Sequence, residues 1–134
     1  MNSINYQTIN KQNLPKWENS LKYITEVLNK NDIKYYLSSS GLHYILGQEV
    51  YPYDIDLFMS KEDVKRVYKL LTKYKVSNLH YWEEDGKKLI EFQGIYNDIP
   101  FEICEWEKEP EGLKEVEYKG MMINIVNKSP DIML

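Results

Sequence analysis

The segment Asp54-Ile55-Asp56-Leu57-Phe58-Met59 restricts the possible folds more than any other part of the chain. Acidic and apolar residues alternate, so an extended backbone would send Asp54 and Asp56 to one face and Ile55 and Leu57 to the other. With Tyr53 ahead of it, the segment reads as a strand over 53–59 with one face in a core. Ser60-Lys61-Glu62-Asp63 follows at once and has the form of a capping box with Asp in place of Glu. Val64, Val67, Leu70, Leu71 and Tyr74 then supply the buried stripe of a helix to about residue 74. A strand feeding directly into an amphipathic helix is the start of an α/β unit.

The flanking segments extend this pattern. Leu14, Trp17, Leu21, Ile24 and Leu28 recur at steps of three and four behind Pro15, which predicts a helix over 14–30 ended by Asn29-Lys30-Asn31-Asp32. Residues 33–37 read as a short strand that breaks at Ser38-Ser39-Ser40-Gly41 into a short helix over 42–46, closed by Gly47. The remainder is strand-like over 76–82, 88–95, 99–106 and 116–126, with turns at Glu84-Asp85-Gly86 and Asn97-Asp98 and a loop at Pro110-Glu111-Gly112. Ser129-Pro130-Asp131 has the form of a helix start. The expected fold class is α/β (α+β), a mixed and partly antiparallel sheet flanked by helices.

A chain of 134 residues suits one domain over 1–134, and 43% hydrophobic with 28% charged residues is the composition of a globular protein. A net charge of −4 argues against a protein that grips duplex DNA through many phosphates. Cys104 is the single cysteine, so no intramolecular disulfide or Cys-based metal cage can form, which suits the cytoplasm. Neither a secretory leader nor an apolar run of about 18 residues is present, so neither export nor a membrane partner is expected.

The acidic strand carries the chemistry. Residues two apart on a strand lie about 7 Å apart on one face, so Asp54 and Asp56 would stand side by side. Two such carboxylates repel each other unless water or a cation screens them, and Mg²⁺ favours one or two carboxylates plus substrate phosphates. Upstream, Ser39, Ser40 and Gly41 sit where a strand gives way to a helix, a junction that can direct backbone N–H groups at an anion.

This combination, a Gly/Ser turn and, after a spacer of twelve residues beyond Gly41, Asp-hydrophobic-Asp-hydrophobic, resembles the signature of the nucleotidyltransferase superfamily. The stretch 37–58 is similar to its small bacterial members: minimal nucleotidyltransferases, antibiotic adenylyltransferases and the toxin-antitoxin branch. The resemblance covers about residues 33–106 and implies a third acidic residue on a later strand, which Phe101-Glu102-Ile103 matches best, with Asp98 and Glu91 in reserve. It further implies that Asp54, Asp56 and Glu102 hold Mg²⁺ (or Mn²⁺), that Ser39, Ser40 and Gly41 face the nucleotide, and that a nucleotidyl group passes from a nucleoside triphosphate, AMP from ATP, to a hydroxyl acceptor. Two positions depart from the family pattern: Ser39 or Ser40 stands where the first Gly is usual, and Val50-Tyr51-Pro52 where Arg-x-Thr often precedes the acidic pair. The alternative expectation is therefore a fold kept without turnover, as a nucleotide-binding or protein-interaction module.

Other conspicuous residues read as structural. His43 and His80 lack partners at metal-ligand spacing, Cys104 reads as a buried thiol, and the twelve tyrosines mostly as core. Tyr51 and Tyr53, beside the acidic pair, are the exceptions.

Overall fold

The computed structural model describes residues 12–52 and 54–126; Tyr53 and the expected helix start at Ser129-Pro130-Asp131 lie outside the described residues. Helix α1 (Leu14–Lys30) starts on Pro15 and buries Trp17, Leu21, Ile24 and Leu28 along one side, as the spacing requires. Full burial of each such side chain contributes about 1.5–3 kcal/mol. Asn31 and Asp32 end the helix: the Asn31 Nδ2 donates to the Val27 carbonyl at 2.8 Å and Asp32 turns left-handed at φ 55°.

Strand β1 (Tyr35–Ser38) leads without a loop into the short helix α2 (Ser39–Ile45), which therefore starts three residues earlier than the sequence suggested. Gly47, at φ +90°, stops it. Strand β2 (Ile55–Met59) begins one residue after Asp54 and is followed by α3 (Lys61–Leu70), where Ser60 Oγ accepts from the Asp63 N–H at 3.2 Å. The helix ends at Leu70, and residues Thr72–Tyr74 form a 3-10 turn in place of a fourth helical turn, so the expected stripe is corrected: Val64, Val67 and Leu71 are buried, whereas Leu70 is exposed and Tyr74 lies outside the helix.

Three further strands complete the main sheet: β3 (His80–Glu84), β4 (Lys87–Tyr96) and β5 (Ile99–Glu105). The expected strand from Val76 is corrected: the backbone N–H groups of Val76 and Ser77 both donate to the one Gln93 carbonyl, and Lys75 makes an isolated bridge to Gly94, so the ladder starts at His80. The expected single strand over 116–126 is corrected as well. It is a hairpin, β6 (Leu113–Tyr118) and β7 (Met121–Val126), because Lys119 and Gly120 both take positive φ (48° and 84°) and reverse the chain.

The main sheet has the order β1-β2-β5-β4-β3, with β2 and β5 parallel and every other pair antiparallel, which is the mixed α+β sheet expected. Its two faces differ. Tyr35, Leu37, Ile55, Leu57, Met59, Phe92, Phe101 and Ile103 are fully buried on the face covered by α1 and α3. Ser38, Asp56, Gln93 and Glu102 share the opposite face and are only half-buried. Among the described residues, no helix is long and apolar enough to cross a membrane.

Candidate active site

Register brings the acidic residues together. Ser38 pairs with Asp56 across β1 and β2, and Asp56 pairs with Glu102 across β2 and β5, so three neighbouring strands present a polar row on the face opposite α1 and α3. Asp54 stands immediately before β2, where the Trp17 Nε1–H of α1 donates to its backbone carbonyl at 3.0 Å. One carboxylate oxygen from each of Asp54, Asp56 and Glu102 lies within 4.8 Å of the others.

Such proximity is costly without a counter-charge, and the titration behaviour reflects it. Burial, then the charge of Asp56, a hydrogen bond to Asp56 and the charge of Glu102 push the Asp54 carboxyl up to about 8. Asp56 is raised by burial and by Glu102, against hydrogen bonds from Ser39 and Asp54 that favour its ionised form. Without a metal, the pair therefore holds a proton well above the usual carboxylate range. Asp56 Oδ1 is buried with no hydrogen-bond partner among the described residues. An unsatisfied buried carboxylate oxygen facing two other carboxylates is a set of hard oxygen donors that fits a divalent cation such as Mg²⁺.

The Ser/Gly turn divides in role. Ser39, the first residue of α2, holds φ +62° and directs its hydroxyl to Asp56. That backbone conformation is uncommon for a residue with a Cβ. Gly41 faces inward: a Cβ there would stand 3.0 Å from Trp17 Cζ2, so its small size lets α2 close onto α1. Ser40 lies between them in the first turn of α2.

The two reserve carboxylates differ in placement. Asp98 sits in the β4–β5 turn, 73% exposed, in an ion pair with Lys16 Nζ at 3.0 Å, outside the cluster. Glu91 adjoins it: its carboxylate, Glu102 and the Cys104 thiol lie within 4.8 Å of one another. Burial and the charge of Glu102 raise Glu91, opposed by His80, whose Nε2 is 3.4 Å away, and by a bond from Gln93. Cys104 is buried and its thiol is pushed up by burial and the surrounding carboxylates, so it is a poor nucleophile, as expected.

Sequence reasoning missed one support of the site and one feature of the same sheet face. Trp17 was legible only as a member of the apolar stripe, although a buried indole N–H needs an acceptor. Tyr36 was read as strand core, yet it lies one pleat beyond Ser38 on the open face, stacked on Phe58 at 5.4 Å and near Trp106 at 6.2 Å. It also walls a cavity of about 550 Å³, with Lys108, Pro110 and Val126 among the other lining residues. Tyr51, 46% exposed, stacks on Tyr44 at 6.2 Å.

In sequence the chain matches no protein-family model and no curated protein. In structure it is similar to a protein from Thermotoga maritima assigned as a nucleotidyltransferase, with a TM-score of 0.76 and 16% identity over 90% of this chain and 81% of that one. It is also similar to an antigenic nucleotidyltransferase-like protein from Paracoccidioides brasiliensis, with a TM-score of 0.52 and 10% identity over 84% of this chain and 61% of that one. The chain has the nucleotidyltransferase fold.

Proposed function

We propose that the chain is a metal-dependent nucleotidyltransferase, moving a nucleotidyl group, AMP from ATP, to a hydroxyl of a separate acceptor. The observation that carries this reading is the cluster of Asp54, Asp56 and Glu102 within 4.8 Å, with the buried Asp56 Oδ1 lacking a hydrogen-bond partner among the described residues. These three carboxylates would hold Mg²⁺ or Mn²⁺. Bound there, the cation would neutralise phosphate oxygens and the charge that develops on the leaving pyrophosphate.

The residues then divide the work. Asp54 would give up its proton to a bound cation, so that its carboxylate joins Asp56 in holding the metal. The Ser39 hydroxyl fixes one oxygen of Asp56 and leaves Oδ1 aimed into the site. Ser39 and Ser40, at the junction of β1 and α2, would face the nucleotide, while Gly41 behind them lets α2 close onto Trp17. Glu102, on the central strand, accepts the acceptor's hydroxyl proton as that oxygen bonds to the α-phosphorus and the bond to pyrophosphate breaks.

Calorimetric titration of Mn²⁺ and ATP into wild type and an Asp54→Asn/Asp56→Asn double variant tests the proposal. Metal-dependent ATP binding that disappears in the variant is the expected result; absence of binding in wild type overturns it. Release of pyrophosphate in an acceptor screen would separate an enzyme from a nucleotide-binding or protein-interaction module, which predicts none under any metal.

A further inference from the structure

The two ends of the main sheet are finished differently. At one end the β6–β7 hairpin packs against β1; at the other, among the described residues, β3 shares a ladder with β4 alone. Bare sheet edges are ordinarily blunted by Lys, Pro or a bulge, because their free N–H and C=O groups template pairing with another strand. Residues 80–84 (His-Tyr-Trp-Glu-Glu) contain neither Lys nor Pro, and their five ladder pairs with β4 run without a bulge. Tyr81 is 63% exposed there, unusual for so large a ring.

Hairpin geometry fixes which backbone groups are free. Asp85 and Gly86 form a two-residue loop with φ 49° and 79°, closed by the pair Glu84 and Lys87. In such a hairpin the closing pair exchanges both backbone hydrogen bonds, and the pattern then alternates. Glu84, Trp82 and His80 therefore spend their backbone groups on β4, while Tyr81 and Glu83 direct theirs outward.

We propose that β3 is an interface at which two copies of this chain pair antiparallel about a two-fold axis through Trp82, joining their sheets edge to edge. The sequence is self-complementary in that register. Tyr81 and Glu83 of opposite copies exchange backbone hydrogen bonds. Trp82 meets its own counterpart in a non-hydrogen-bonded pair, where side chains approach most closely. On the same face His80 of each copy lies beside Glu84 of the other, so that no glutamate faces a glutamate. A parallel arrangement in register would instead set Glu83 and Glu84 against themselves. Because the new strand joins in the plane of the sheet, the face carrying Asp56 and Glu102 stays open.

Sedimentation of the full chain from about 10 to about 100 µM tests this, the range in which a small interface populates its complex. Wild type should shift from monomer toward dimer. Glu83→Pro removes an N–H that serves only the outer edge, and should remain monomeric with an unchanged near-UV CD spectrum. Trp82→Cys gives a register-specific readout that does not depend on that variant. Across a non-hydrogen-bonded pair the Cα atoms are about 4.5 Å apart, within the range a disulfide spans, so mild oxidation should link the chains. Tyr81→Cys, displaced from its own counterpart, should not link. A wild type that stays monomeric at about 100 µM, or equal cross-linking at positions 81 and 82, would overturn the proposal.

Discussion

At Ser39 two demands fall on one residue, and different substitutions separate them. Its left-handed φ of +62° costs a residue with a Cβ roughly 1 kcal/mol, and its hydroxyl bonds the Asp56 carboxylate. Ser39→Ala keeps the strain and loses the hydrogen bond, so urea unfolding should show a loss of about 1–2 kcal/mol. Ser39→Gly loses the same bond but removes the strain, and should recover about 1 kcal/mol of that deficit. Metal affinity should fall equally in both, since neither can hold Asp56. If glycine restored affinity along with stability, the hydroxyl would have no role in the site. This explains what was legible at residue scale. Asp54 and Asp56 could be read because a period of two is written in the residue types, whereas Glu102 was singled out only through the family resemblance, with Asp98 and Glu91 in reserve. The conformation of Ser39 could not, because a positive φ is ordinarily announced by glycine and here a serine is held in it by the fold.

Elements were legible where burial is one-sided. The stripes of α1 and α3 and the alternation of β2, β4 and β5 all report a core on one face, and their positions agree with the sequence to within a few residues. The β6–β7 hairpin was not legible because Lys119-Gly120 is a sparse turn signal between two apolar segments, and a lone glycine reads equally as a bulge. Glycines in these strands and turns act for opposite reasons, which stability measurements can distinguish. A Cβ on Gly120 would meet nothing within 4 Å, but its φ is +84°, so Gly120→Ala should cost about 1 kcal/mol from backbone strain alone. Gly94 has no such conformation; the Phe101 ring of β5 lies directly over it, and the two are ladder partners. Gly94→Ala should therefore cost more, about 1–3 kcal/mol, by forcing that buried ring off its rotamer. The double variant Gly94→Ala/Phe101→Leu should lose less than the sum of the single changes, whereas additivity would mean that the ring contact is not the source of the cost.

For the whole molecule, the one-sided core has an electrostatic consequence. Helices α1 and α3 bury one face of the sheet, and the carboxylates brought together on the other remain part-buried and close, so the fold stores repulsion that a cation or a proton must relieve. In the metal-free chain the proton does so. Asp54 titrates near 8 in the fold against an ordinary 3.8, and a carboxyl with a raised folded value favours the folded state while protonated. Its contribution is complete below about pH 4 and is lost as pH climbs through about 8, so this group makes the metal-free protein less stable across that interval. A divalent cation must displace the proton, so its binding releases one at pH 6 and little at pH 8.5, and its stabilisation grows over the same range. At a hundredfold excess over the dissociation constant, ligand binding adds about 2.7 kcal/mol, which for a domain of this size raises Tm by several degrees. Thermal unfolding with and without Mg²⁺ should accordingly show a larger shift at pH 8.5 than at pH 6. In Asp54→Asn the side chain keeps its shape and cannot ionise, so the loss of stability between pH 4 and 8 should flatten and the Mg²⁺ shift should vanish at both values. A shift of equal size at pH 6 and 8.5 in wild type, or one that survives in Asp54→Asn, would mean that the cation binds away from this cluster.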